Sequence, residues 1–271
     1  MNPFSAAILA IVQGLTEFLP VSSSGHLVLG EALLGSHSFG NSIAFELVVH
    51  LGTFLAVLVI FWKDILNLGQ VFFTRLVKPG TWSSEYQNNN DFRISILMLV
   101  AMLPAGFIGL LLRDQISELF SQPFMVSVAL IATGSMLLST MYFKKSDNPI
   151  DLKKALLIGF AQALALVPGI SRSGSTISMA LGLGVKQEEA ARFSFIMVLP
   201  LIVAATVLEF LDLVKVGISS DEISILLIGL IVSFIVGIFS LKWLLQLLKR
   251  GKFHYFAWYC FTIALIGLFY F

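Results

Sequence analysis

The sequence predicts an all-α integral membrane protein with six transmembrane helices and two re-entrant helical hairpins in an inverted-topology repeat. Three observations carry that expectation. Of 271 residues 57% are hydrophobic and 12% charged, mean hydropathy is +0.92, and apolar runs approach the ~20 residues that a bilayer-crossing helix needs. A stretch near the start, Gln13–Leu27 (QGLTEFLPVSSSGHL), recurs without gaps as Gln162–Thr176 (QALALVPGISRSGST), matching at Gln13/Gln162, Leu15/Leu164, Ser22/Ser171, Ser24/Ser173 and Gly25/Gly174. Lysines and arginines gather in alternate loops.

The same composition excludes other classes. A net charge of +1 gives no reason to expect a nucleic-acid partner. Cys260 is the only cysteine and lies in an apolar run, so neither an intrachain disulfide nor a cysteine metal cluster is expected. The N-terminal MNPFSAAILA lacks the positive region of a cleaved signal, Lys63 being the first Lys or Arg, and is read as part of the mature fold.

Taken in order, Phe4–Leu19 is apolar but short, and Pro20 with VSSSGH interrupts it before a second short run, Leu27–Leu34. Each half is too short to cross alone. A broken pair entering and leaving by one face is tolerated only where its open backbone is buried in protein or lines a cavity. Three predicted spans follow, Ser42–Trp62, Ile94–Leu112 and Phe124–Phe143. The pattern then restarts with Ala155–Val167, the breaker Pro168-Gly169 and Ser175–Leu183, followed by spans Phe193–Leu211, Ile223–Leu248 and Phe253–Phe271. The single membrane domain thus divides into repeats 1–148 and 149–271. Three spans per repeat is an odd number, so the second repeat is inverted, and interrupted helices in corresponding positions point to a site near the midplane. FELVV from Phe45 and FSFIM from Phe193 extend the likeness weakly.

Charge placement agrees with that count. Lys63, Arg75, Lys78, Arg93, Lys144, Lys145, Lys153, Lys154, Lys186, Lys249, Arg250 and Lys252 fall on one side, Arg113 and Lys215 on the other. The first side is therefore read as cytoplasmic and both termini as outward. Lys78–Asp91 is expected to be a solvated loop, and Ile65–Leu76 an amphipathic interfacial segment.

Polar groups at membrane depth are costly and are functional candidates by default. Gln13 and Glu17, four apart, share a helix face and offer an amide oxygen and a carboxylate to a divalent metal or to a proton-transfer partner; oxygen donors suit Mg2+ or Ca2+. Ser22, Ser23 and Ser24 precede His26, and a hydroxyl near an imidazole can serve as nucleophile and base. Arg172 can hold an anion through paired hydrogen bonds, with Ser171, Ser173 and Thr176 adding hydroxyls. A helix beginning near Gly174 would aim its first amides at the same anion. Glu46 and His50, again four apart, are expected in a supporting role. Glu209 and Lys242 are expected to snorkel, and Glu188, Glu189 and Arg192 to begin a helix. Membrane helices also pack on Ser, Thr and Gly without any ligand, so the hydroxyls weigh less than Glu17, His26 and Arg172.

QGLTEFLPVSSSGHL and PGISRSGST together resemble the two signatures of the undecaprenyl-diphosphate phosphatases of the bacitracin-resistance type, and the likeness runs over essentially the whole chain, FELVV and FSF before Pro200 included. The resemblance implies a similar fold and a multi-pass enzyme of the bacterial inner membrane. Such an enzyme hydrolyses a polyprenyl diphosphate lipid to the monophosphate carrier of peptidoglycan synthesis, depends on a divalent cation, and opens its active site to the periplasm. It further implies that Glu17 and Gln13 stand for the first motif's acidic pair, Ser22, Ser23 and His26 for its hydroxyls and imidazole, and Ser171, Arg172, Ser173 and Thr176 for the phosphate-binding loop. Gln13 departs from members with two glutamates, leaving one carboxylate. The expected scheme has Arg172 and loop amides holding the diphosphate, Glu17 and Gln13 positioning a metal or base, Ser23 attacking phosphorus and His26 managing protons. A lipid transporter is the competing class, since inverted repeats are common there. Expected partners are the lipid substrate and the bilayer, and the sequence leaves a homodimer open.

Overall fold

The computed structural model describes residues 2–34, 43–144, 146–204, 206–207 and 220–271, and every regular element among them is a helix. α1 (Pro3–Thr16) is capped by Asn2, whose side chain accepts from the Ser5 amide at 2.7 Å, with Pro3 at the first helical position. A turn over Glu17–Val21 separates it from α2 (Ser23–Leu34). The second short pair has the same plan. α9 (Leu152–Leu164) is capped by Asp151 and α10 (Arg172–Gly182) by Ser171, with Pro168 and Gly169 in the break.

Longer apolar helices supply the membrane body. Asn90–Leu111 (α6), Pro123–Tyr142 (containing α8, Pro123–Ser139), Ile223–Lys249 and Phe253–Tyr270 are each long and apolar enough to cross a bilayer. Together they make the chain a multi-pass membrane protein. The predicted span Ser42–Trp62 corresponds to α3 (Ile43–Ile60), which meets α4 (Trp62–Leu76) at an 81° bend. α4 buries only Leu68 and exposes Trp62, Leu66 and Phe73, as a helix lying along an interface does. Asp64 ties it to Arg192 of α11 (Gln187–Met197) at 2.7 Å. The predicted span Phe193–Leu211 begins within α11; Glu209, Lys215, Lys145 and Ser42 lie outside the described residues. Lys242 is exposed, and Glu188 and Glu189 sit in the first turn of α11, where negative charge faces the positive helix end.

One expectation is corrected. Lys78–Asp91 is not an open loop: a 3-10 turn, Pro79–Thr81, leads into α5 (Trp82–Asn88). The Trp82 indole N–H donates to the Arg75 carbonyl at 3.1 Å, and Glu85 pairs with the Arg75 side chain at 3.2 Å. These longer-range partners hold a helix that the polar composition alone does not announce.

Helices pack as α1 and α3 against the long helix Ser220–Lys249, α6 and α10 against α9, and the last helix, Phe256–Tyr270, against α8. In lipid, association depends on close packing rather than dehydration. Gly159 of α9 shows it, because a Cβ there would strike the Ala101 carbonyl of α6. Phe195 lies at the centre of the aromatic core, 5.7 Å from Phe18 and 6.4 Å from Phe61 between ring centroids.

The two breaks meet inside the protein. The Gly169 amide donates to Ser22 Oγ at 3.2 Å and Ser173 Oγ donates to the Leu19 carbonyl at 3.4 Å. Thr133 of α8 donates its hydroxyl to the Gly169 carbonyl at 2.8 Å and accepts from the Ser171 amide at 3.1 Å. Ser240 donates to the Leu15 carbonyl at 2.9 Å. Backbone opened at the two breaks is thus satisfied by neighbouring helices, the condition that breaks among apolar helices must meet. Gly169 has φ +95°, and a Cβ on it would run into the Val126 carbonyl. Ser22, at φ +67°, is the one non-glycine residue in left-handed backbone among those described.

Candidate active site

Where the breaks meet, three side chains close on one carboxylate. Glu17 follows the last turn of α1, and Gln13 lies one turn earlier on the same face. Glu17 Oε1 accepts from Arg172 Nη2 at 2.8 Å across 155 residues of chain. Glu17 Oε2 accepts from Ser23 Oγ at 2.8 Å and from Gln13 Nε2 at 3.1 Å. The Glu17 and Arg172 side chains are only 13% and 17% exposed, so the ion pair is largely shielded from water. The Arg172 guanidinium also lies over the Phe195 ring, 5.7 Å from its centroid.

Both helix starts in this cluster are built alike. Ser22 Oγ accepts from the Gly25 amide at 3.2 Å, and Ser171 Oγ accepts from the Gly174 amide at 3.1 Å. The neighbouring hydroxyls pair in parallel, Ser22 with Ser24 at 3.4 Å and Ser171 with Ser173 at 3.3 Å. The shared sequence has therefore kept a shared local geometry. It brings the N-terminal ends of α2 and α10 together, an arrangement that favours anions.

Several of the predicted ligands also hold the loop itself. Ser22, Ser171 and Ser173 are buried and engaged in caps and crossings between the breaks. Thr176 is fully buried, donates to the Arg172 carbonyl at 2.8 Å and is bonded to Ser194 of α11. Within the cluster, the buried polar atoms without a protein partner are Gln13 Oε1 and Arg172 Nη1. One accepts and the other donates, so a ligand carrying both a cation and an anion would satisfy both.

His26 is held elsewhere. Its ring bonds to the Ser22 carbonyl oxygen through Nδ1 and to the Tyr259 hydroxyl through Nε2, both at 2.8 Å. Glu46 is exposed. His50, four residues on, has its Nδ1 2.9 Å from the Glu46 carbonyl oxygen and lies within electrostatic range of Glu17. Thr133, Phe195, Tyr259 and His50 are thus site residues that sequence reasoning missed or placed lower. Thr133, Tyr259 and His50 sit in apolar helices and Phe195 in the mixed helix α11, and each reaches the site only through tertiary packing. Among the described residues no group of three or more His, Cys, Asp or Glu side chains is placed to hold a metal. Gln13 and Glu17 still fit a Mg2+ or Ca2+ site of the kind completed by waters and substrate phosphate.

Chemically, the cluster offers a hydroxyl on a carboxylate base, a cation on the same carboxylate and two convergent helix starts. That set suits phosphoryl transfer, which depends on positioning and charge neutralisation.

Residues 6–266 match the family of bacitracin resistance protein BacA. The chain is 40% identical to the Undecaprenyl-diphosphatase of Salinibacter ruber, over 99% of each chain. It is 40% identical to that of Korarchaeum cryptofilum over 98% of each, and 38% identical to that of Bacteroides fragilis over 99% of this chain and 98% of the relative. With both signatures folded into one cluster and relatives matching end to end, the chain belongs to the bacitracin resistance protein BacA family.

Proposed function

We propose that this protein is an undecaprenyl-diphosphate phosphatase, hydrolysing the lipid diphosphate to undecaprenyl phosphate and inorganic phosphate. In that role it recycles the carrier for peptidoglycan synthesis and confers bacitracin resistance. The observation that carries the reading is the Glu17 carboxylate, with Ser23 Oγ on one oxygen and Arg172 on the other, each at 2.8 Å.

In the mechanism that this geometry supports, Ser23 Oγ attacks the terminal phosphorus while Glu17 takes its proton. The bond to the bridging oxygen breaks and undecaprenyl phosphate leaves. Water then cleaves the phosphoserine, releasing inorganic phosphate and returning the hydroxyl to Ser23. Arg172, through Nη1, and the first-turn amides of α2 and α10 neutralise the phosphoryl oxygens. Gln13 Oε1 and Glu17 would hold a divalent cation, Mg2+ or Ca2+, which when bound shields charge between carboxylate and phosphate. His26 exchanges protons with the leaving group or the water.

The surrounding architecture follows the same reading: six spans and two re-entrant hairpins in an inverted repeat, divided at residue 148, in the bacterial inner membrane. The Lys and Arg distribution supports periplasmic termini. The site then opens to the periplasm, with the polyprenyl tail among the helices.

The test is phosphate release from undecaprenyl diphosphate by detergent-purified protein with Mg2+ or Ca2+, beside Glu17→Ala and Arg172→Ala. Metal-dependent release lost in both variants is expected. Folded wild-type protein that released none under any metal would sink the phosphatase reading, and lipid-phosphate movement in vesicles would be measured instead.

A further inference from the structure

The surroundings of His26 limit what it can do. The Ser22 carbonyl oxygen, 2.8 Å from Nδ1, only accepts, so Nδ1 carries a hydrogen. In the neutral ring the lone pair is then on Nε2, 2.8 Å from the Tyr259 hydroxyl, which donates to it. The two rings are parallel within 5° and their centroids lie 5.5 Å apart. Tyr259 belongs to the last helix, 233 residues further along the chain. That helix turns Ala257, Cys260 and Ala264 into the protein and leaves Tyr259 44% exposed. The other anchor is equally specific. Ser22 holds left-handed backbone, and its carbonyl oxygen receives both the amide and the ring of His26.

We propose that Tyr259 is a positioning residue for His26 in the phosphatase reaction, an inference that rests on the function proposed above. With Nδ1–H committed to the Ser22 carbonyl, any proton that His26 exchanges with substrate or water passes through Nε2, whose single lone pair comes free as the Tyr259 hydroxyl turns its hydrogen away. The Ser22 carbonyl sets the tautomer, and the Tyr259 hydroxyl is the group that fixes the direction of that atom. A ring tied at both nitrogens keeps one plane, so the proton acceptor is set before substrate arrives, as an oriented imidazole requires. The remainder of Tyr259, its ring against His26, is packing and survives replacement by phenylalanine.

The test uses full-length protein in detergent, labelled with 15N-histidine. The chain has four histidines, and His26→Gln identifies the His26 resonances by their loss. In Tyr259→Phe the Nε2 resonance should move downfield, toward the value of an unbonded imidazole nitrogen, while Nδ1 stays protonated. In the same variant kcat for undecaprenyl diphosphate should fall about 10-fold with KM within about twofold, part of the ~10²-fold or more that a proton-transferring group contributes. An unmoved Nε2 resonance, a wild-type kcat, or a change confined to KM would overturn the assignment. Wild-type protein is the control that separates the two failures: an active wild type with an indifferent Tyr259→Phe refutes the positioning role, whereas an inactive wild type refutes the phosphatase reading beneath it.

Discussion

Glu17 and Arg172 join the two halves of the chain through one ion pair, and a double-mutant cycle measures it. Exposed pairs contribute about 0–1 kcal/mol, whereas removing one partner of a buried pair costs about 3–5 kcal/mol because the other charge is left stranded. Side-chain exposures of 13% and 17% place this pair near the buried limit. Ser23 and Gln13 still serve the second Glu17 oxygen when Arg172 is removed, which lowers the penalty. Arg172→Met is therefore expected to destabilise the folded protein by about 3 kcal/mol, and Glu17→Gln by a similar amount. The double variant strands neither charge and should recover about 2 kcal/mol relative to the sum of the singles. Unfolding of each variant in detergent gives the stabilities, and phosphate release gives the activities. Activity should fall by about 10²–10³-fold in Arg172→Met and stay low in the double variant, since a repaired fold is not a repaired site. Singles that add within about 0.5 kcal/mol would show that the pair does not form and that the two breaks are not joined through it.

Other expectations concern the same cluster. Ser23→Ala should reduce turnover by about 10³-fold or more while Ser24→Ala keeps the wild-type rate, read by phosphate release; near-normal turnover in Ser23→Ala would leave direct attack by water. Chelation should abolish release, and Gln13→Glu, by adding a second carboxylate, should lower the metal concentration needed for half-maximal rate; an unchanged metal titration would remove Gln13 from the metal site. Gly169→Ala should cost about 2 kcal/mol or more in unfolding experiments, because φ +95° disfavours any side chain and the Val126 carbonyl occupies the space. Wild-type stability in that variant would mean the second break adopts another backbone.

Much of this protein could be read without coordinates. Hydropathy alone required several long helices, because only helices and closed barrels satisfy a backbone in lipid. Pro20 and Pro168-Gly169 marked both breaks, since proline cannot continue a helix through its missing N–H. The paired signatures named Gln13, Glu17, Ser23 and Arg172 because ionisable and hydroxyl groups are too costly at membrane depth to be placed there idly. Tertiary structure decided which of them touch one another. Ser171, Ser173 and Thr176 have residue types suited to phosphate, yet all three are buried in the loop's own bonds, a use that residue type does not distinguish from ligand binding. The pairing of Glu17 with Arg172 spans 155 residues, and the partners of His26 and Ser171, Tyr259 and Thr133, stand in apolar helices with no local signal. Beyond the 81° bend after Ile60, Asp64 pairs with Arg192 of the distant α11, a contact that local sequence does not announce. Local composition fixes which apolar segments must be helical and where they break, though not the polar helix α5. Which side chains finally touch is set by how the helices pack, and packing is a property of the whole chain.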